Sequence, residues 1–318
     1  MSRKKNHKLG SIVTLLLIFG LSSAAASGIH DQAGTSGLLF LRYGVGARAL
    51  GMGEAFTAVS DDASALFWNP AGLGFSDGVH VLLMHNEFIQ DIRQEYLGGS
   101  FPLRRQRFGL SINIATVADI QRRETAGPPL GTFDAHDFAI SLTWGMKVTK
   151  DLSLGVSGKV IYEKIDVEDL TAYAADLGIL YHLPTDLRVG AVVQNIGGKA
   201  KFIAEDFNLP QQYKLGLAYC PEEEILSGKV IVAIDVAKPN DGDVKLHAGL
   251  EYGYADMFFP RLGYMSGYSD KDITFGLGMK FRRANFQLPF DFLRIDYAYI
   301  PFGSDLGTSH RFSLSAHF

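Results

Sequence analysis

The chain has 318 residues, of which 47% are hydrophobic and 12% aromatic, with 35 glycines and a formal net charge of -4. That charge gives no basis for a nucleic-acid partner, and the single cysteine, Cys220, excludes an internal disulfide or a cysteine-based zinc cluster. A water-soluble β-protein and a membrane β-barrel share such totals, so the pattern along the chain has to decide.

The N-terminus carries Arg3, Lys4, Lys5 and Lys8, then a short apolar core over residues 12–21, then Ala24-Ala25-Ala26. This order predicts a signal peptide over residues 1–26. The apolar run is well short of the ~20 residues that a spanning helix requires. No cysteine lies near the cleavage site to receive a lipid anchor.

Residues 27–76 do not alternate and do not read as strands. Gly44, Gly46, Gly51 and Gly53 permit tight backbone turns. Asp61-Asp62-Ala63-Ser64-Ala65-Leu66 reads as a short N-capped helix, ended by Pro70, which biases Asn69 toward an extended conformation. Gly72 is expected to allow the sharp turn into the first strand. Arg48, Glu54, Asp61 and Asp62 are expected to pair with lumen charges and hold this block in place.

From Val79 onward about fourteen segments alternate at period two, with the length of tilted membrane strands. In one, Phe138, Ile140, Leu142, Trp144 and Met146 alternate with Ala139, Ser141, Thr143 and Gly145. In another, Ile273, Phe275, Leu277, Met279 and Phe281 alternate with Thr274, Gly276, Gly278 and Lys280. One face is aliphatic with aromatics near its ends, as lipid contact demands. The other is small, polar or charged and rich in glycine, which leaves room in the lumen. Its charges include Lys147, Lys159, Asp176, Arg188, Asp235, Glu251, Lys280 and Asp296, of both signs, which points to internal ion pairs rather than an ion-selective pore.

With both termini periplasmic, the outward links should be long and the inward ones short. The expected outer links are residues 117–136, 164–172 and 194–212. The short inner links are 102–106, 149–151, 184–185 and 253–255, with 221–228 and 282–292 longer than usual. The last strand alternates to its end: Phe312, Leu314, Ala316 and Phe318 share one face, and Ser313, Ser315 and His317 the other. A terminal aromatic at this period is typical of outer-membrane barrels, whose final strand closes against the first and is read by the barrel-assembly machinery. The fold class predicted is all-β: an antiparallel transmembrane barrel of about fourteen strands over residues 77–318, in contact with outer-membrane lipid.

The run from Gly44-Val45-Gly46-Ala47-Arg48 through Asp61-Asp62-Ala63-Ser64-Ala65 to Asn69-Pro70-Ala71-Gly72 resembles the N-terminal signature of the PorV/PorQ branch of FadL-like outer-membrane proteins. Downstream pieces extend the resemblance over nearly the whole mature chain, among them Gln194-Asn195-Ile196-Gly197 and Arg261-Leu262-Gly263-Tyr264. The resemblance implies a fourteen-stranded barrel with residues 27–76 folded into the lumen as a hatch. Its structural or gating residues would be Gly46, Arg48, Gly51, Gly53, Asp61, Asp62, Asn69, Pro70 and Gly72.

Other motifs lack support. Gly44-Val45-Gly46-Ala47-Arg48-Ala49 meets only part of a dinucleotide fingerprint, with no strand–helix alternation around it. Gly155-Val156-Ser157-Gly158-Lys159 has the spacing of neither a phosphate loop nor a nucleophile elbow. Asp61-Asp62 reads as helix capping rather than a metal site, the nine histidines are scattered, and Glu222-Glu223-Glu224 reads as a solvated turn. No enzyme activity, cofactor or metal is expected.

The function expected from the resemblance is a partner or shuttle in type IX secretion. It would meet the translocon, or hold secreted proteins by their C-terminal sorting domains at its outer loops. The alternative is a FadL-like carrier, taking a fatty-acid-like or other hydrophobic small molecule through an apolar pocket in the upper lumen. A membrane-embedded hydrolase is a third class, for which the sequence offers no convergent Ser-His-acid pattern. An apolar lumen pocket would favour the carrier, and long outer loops over a plugged, charged lumen the secretion partner.

Overall fold

The structure is a computed structural model that describes residues 30–225, 227–283, 289–303 and 306–318. The expected signal peptide lies outside them. The strands are β1 (His80–Glu87), β2 (Ile92–Leu103), β3 (Gln106–Arg122), β4 (Gly131–Lys147), β5 (Leu152–Ile165), β6 (Glu168–His182) and β7 (Leu187–Ile196). They continue with β8 (Ala200–Phe202), β9 (Glu205–Phe207), β10 (Gln212–Tyr219), β11 (Gly228–Pro239), β12 (Lys245–Tyr254) and β13 (Phe258–Ser266). The last are β14 (Ile273–Arg282), β15 (Phe292–Pro301) and β16 (Thr308–His317). All but the β8–β9 hairpin join one closed antiparallel barrel of fourteen strands. Closure leaves no strand edge unpaired, the condition for a sheet to sit in hydrocarbon.

The seam joins β1 to β16, with Leu83 opposite Leu314 and His80 opposite His317. Beyond the last residue of β16, Phe318 and Val79 exchange two backbone hydrogen bonds of 2.9 Å. The final aromatic therefore completes the seam, and Phe312, Leu314 and Phe318 all point outward. The alternation holds around the wall. Leu110, Leu142, Leu217 and Leu277 are among the outward residues, and Ala139, Thr143, Asp176, Asp235 and Asp296 are buried inward.

Strand lengths differ from expectation near the mouth away from the C-terminus, termed here the loop mouth. The first described residues lie there too, with His30 beside Lys238, so, contrary to expectation, the two ends of the described chain do not share one mouth. The expected link at 164–172 is a two-residue turn, Asp166 and Val167, because β5 and β6 stay paired out to Ile165 and Glu168. Most of 117–136 is likewise strand: β3 and β4 stay paired out to Arg122 and Gly131 around a bulge between Val117 and Ile120, leaving 123–130 as the tip. Their outer halves carry mixed charged and apolar residues, which masks the period. The link at 194–212 holds the β8–β9 hairpin. The long inner link at 282–292 lies partly outside the described residues.

Inside the wall runs the block from Leu38 to Phe75. It forms a 3-10 turn (Leu39–Arg42), α1 (Ala47–Gly51), α2 (Ala65–Trp68) and a second 3-10 turn (Pro70–Phe75). The helix read over residues 61–66 is thus shifted: α2 starts at Ala65, and Asp62 accepts hydrogen bonds from the Ser64 amide and hydroxyl just before it. Asn69 is extended, as its position before proline requires, and its side chain caps the next turn by accepting from the Ala71 amide. Gly46 and Gly53 have φ of +81° and +63°, where a side chain would be strained.

The glycines on the inward face of the strands make room for this block. A β-carbon on Gly249 would lie 2.5 Å from the Met52 carbonyl oxygen, and one on Gly276 2.9 Å from the Gly51 Cα. On the opposite side of the barrel, Gly109 faces Leu66, Gly145 faces Leu73, Gly155 faces Pro70 and Gly178 faces Asn69. The wall is therefore notched where backbone meets backbone. Gly72 serves the same end: its missing side chain admits the Ser60 carbonyl, and the chain reaches β1 only several residues later.

Candidate functional site in the lumen

Three zones follow one another along the lumen. Nearest the loop mouth, Leu38, Phe40 and Leu41 pack against inward Ala115, Ala139, Ile161, Leu170, Ala172 and Ala174. Ala200, Phe202 and Phe207 of the β8–β9 hairpin and the nearby Leu209 close over this cluster. The small residues of β3, β4 and β6 make an apolar niche, and the start of the inner block fills it. Arg42 holds that start in place, bonded to Asp241 and Asn240 at 2.7 Å each.

The middle zone is a packed apolar core. Val45, Leu50, Met52, Phe56 and Trp68 are fully buried there, and the Trp68 indole donates to the Val45 carbonyl at 2.8 Å. Polar side chains of the wall and the block tie the two together here. The amides of Phe56 and Thr57 donate to the Asp235 carboxylate at 3.0 and 2.8 Å. The Asn69 amide donates to the carbonyls of Thr57 and Ile179 at 2.9 and 3.2 Å, tying the block to β6.

Toward the mouth that holds the C-terminus, the lumen is ionic. Arg48 donates to Glu251 at 2.8 and 2.9 Å, to Asp62 at 3.0 Å and to Asp61. Glu251 also accepts from Arg261 at 2.6 Å, and Asp296 bridges Arg261 and Arg294 at 2.8 and 2.9 Å. Asp62 reaches Arg294 at 3.3 Å, and Asp61 reaches Arg188 at 3.6 Å. Glu54 pairs with Lys271 at 3.1 Å on the loop-mouth side. Arg48, Glu54, Asp61 and Asp62 thus all meet charges of the wall or its loops, as Arg42 does through Asp241. Burial pushes the Asp62 carboxyl up, but Arg48 and Arg294 override it and hold it down to about 2. Glu54 is also pushed up by burial, and Lys271 with its cationic neighbours brings it down to about 2. Burial pushes the Arg48 guanidinium down, and Asp61, Glu251 and Asp62 more than offset that, so it stays charged. A cavity of about 260 Å³ opens beside this cluster, between Arg48, Asp62, Lys280, Phe292 and Arg294.

Of the residues singled out in the sequence, Arg48, Asp61 and Asp62 come together in the ionic zone. Gly51 and Gly53 lie against β14 and β13, and Asn69, Pro70 and Gly72 sit where the inner block crosses β5 and β6. Phe312, Leu314 and Phe318 lie apart from them, on the outside of the seam. The partners Lys271, Arg261 and Arg294 had no sequence signal beyond inward position or loop charge. The apolar niche had one: inward alanines at Ala115, Ala139, Ala172 and Ala174, where a polar lumen would carry polar side chains.

Solved structures share this architecture. The Pseudomonas putida toluene transporter TodX superposes with a TM-score of 0.58 at 15% identity, covering 86% of this chain and 96% of its own. The CymD monoaromatic hydrocarbon channel gives 0.60 at 14% identity, covering 88% and 97%. A Pseudomonas aeruginosa FadL homologue gives 0.55 at 14% identity, covering 92% and 99%. The fold is that of the FadL-like barrels. The model of an Uncharacterised protein family (UPF0164) matches residues 18–172. No curated protein matches the chain in sequence. TodX is named as a transporter and CymD as a channel.

Proposed function

We propose that this chain is an outer-membrane carrier for hydrophobic small molecules, with the C-terminus in the periplasm and residues 27–76 acting as its hatch. The observation that carries the reading is the apolar niche under the loop mouth. A ligand of fatty-acid or aromatic-hydrocarbon type would enter beneath the β8–β9 hairpin and displace Phe40 and Leu41 from the alanine wall. Release of Arg42 from Asp241 and Asn240 would free the start of the hatch. The ionic zone below would keep the rest seated, so that the lumen stays closed to ions when no ligand is bound. The transport named for TodX and the hydrocarbon channel named for CymD support this choice of cargo class.

Equilibrium binding tests it. Purified protein in detergent should bind labelled palmitate or toluene saturably, and Ala139→Trp, which fills the niche, should abolish binding while the barrel still migrates as folded. Binding unchanged by Ala139→Trp would place the ligand elsewhere and remove the reading.

The secretion-partner role implied by the PorV/PorQ resemblance keeps one structural support, the β3–β4 hairpin that carries strand pairing out to a tip at 123–130. Two of the three outer links expected to form its recognition surface are mostly strand, which is why the carrier ranks first here. Trimming residues 118–134 to a tight turn separates the two: a secretion partner would lose capture of a sorting domain, and a carrier would keep ligand binding.

A further inference from the structure

We propose that Asp77, His80 and His317 form a binding site for one divalent transition metal ion of the zinc class, fastening the barrel seam at the mouth that holds the C-terminus. Barrel closure alone brings these residues together. His80 opens β1, His317 ends β16, and the two face each other across the seam. Asp77 lies where the inner block leaves the lumen. One ligand atom from each lies within 4.8 Å of the other two. The Asp77 carboxylate is 3.3 Å from His317 Nε2 and 3.9 Å from His80 Nε2, and metal binding at that His80 nitrogen would replace its 2.6 Å hydrogen bond with the Asp77 carbonyl. Tetrahedral zinc with bonds of ~2 Å places its ligand atoms roughly 3.3 Å apart, so small side-chain rotations complete the site.

The surroundings are built for a fixed geometry. Among the described residues neither ring nitrogen of His317 has a hydrogen-bond partner, although its side chain is only 12% exposed. The Phe292 ring stacks flat on it at 5.1 Å, which fixes the plane of the imidazole. The Asp291 carboxylate stands 3.3 Å from His317 Nδ1, placed so that a small rotation would make the second hydrogen bond that orients a metal-bound histidine. Arg107 donates to the carbonyls of Asp77 and Gly78 and pins the turn that carries the carboxylate. The Asp77 side chain itself is 92% exposed, so an ion can enter and keep a water as its fourth ligand. Two imidazoles and one carboxylate favour a borderline ion over calcium or magnesium, which take oxygen ligands. Bound there, the metal would tie the first strand, the last strand and the exit of the inner block to one another.

The test uses the untagged full-length barrel, stripped with EDTA and titrated calorimetrically with zinc chloride. One equivalent should bind, and the temperature at which the folded band converts on gels should rise. His80→Ala and His317→Ala should each remove both effects, while His136→Ala, on the exposed outer face, should leave them intact. Asp291→Asn should weaken binding about 10–100-fold. Because a seam variant can fail to assemble, cobalt(II) added to the wild type gives a second readout: intense visible bands of a four-coordinate site. Absence of stoichiometric zinc binding with only weak octahedral cobalt bands would overturn the proposal. So would zinc binding undiminished in folded His80→Ala and His317→Ala.

Discussion

Glu251→Gln tests how the inner block is held. The carboxylate accepts two hydrogen bonds from Arg48 and one from Arg261, and it is buried. The amide keeps the shape and removes the charge. Breaking one partner out of a buried ion pair costs about 3–5 kcal/mol. Arg48 keeps Asp61 and Asp62, and Arg261 keeps Asp296, so the lower end applies. About 3 kcal/mol is roughly a 10²-fold shift in the equilibrium between seated and released states. The chain has two tryptophans, and Trp68 is fully buried in the inner block. In a Trp144→Phe background, Trp68 fluorescence during urea titration therefore reports the block itself. The variant should release Trp68 at lower urea than the parent, while the barrel still shows heat-modifiable migration. Conductance in planar bilayers should rise in parallel. A Trp68 transition and a conductance both equal to the parent's would refute the claim that this cluster seats the block.

Other outcomes follow from the same structure. Leu142 is outward and five residues from Lys147 at the end of β4. That is ~17 Å of strand, or about 13 Å of height at a tilt of ~40°, near the middle of a ~25 Å apolar band. Leu142→Arg should therefore destabilise the barrel by roughly 2–4 kcal/mol in unfolding titrations from lipid vesicles. Gly276→Val should open the lumen, seen as raised conductance, because its side chain would meet the backbone of Gly51. The Glu54 carboxyl, ordinarily near 4.5, is held down to about 2, so its contribution is present above about 4.5 and is lost as pH falls toward 2. Acid-induced conductance should grow across that window, and Glu54→Gln should lose that part of the pH dependence.

The wall was legible in the sequence because lipid on one side and a crowded lumen on the other impose strict alternation. Leu142 with Ala139 and Thr143, or Leu277 with Gly276 and Gly278, show it within a few residues. The barrel's extent toward the loop mouth was not legible, because strand pairing at β5–β6 continues where the lipid-driven pattern has ended. The charges of the inner block could be picked out, but their partners could not. Arg261 and Glu251 meet through cross-strand register, and Lys271 reaches Glu54 from a loop. The niche left its mark in its inward alanines, but its occupant was not legible, because an inward alanine looks the same whether it makes room for protein or for ligand.

Transport into closed vesicles tests the central claim most directly. Proteoliposomes holding the purified barrel should take up labelled palmitate or toluene saturably, and Ala139→Trp should abolish uptake without changing assembly. Uptake no faster than through protein-free vesicles, or uptake indifferent to Ala139→Trp, would contradict the account of a hydrophobic carrier working through the loop-mouth niche.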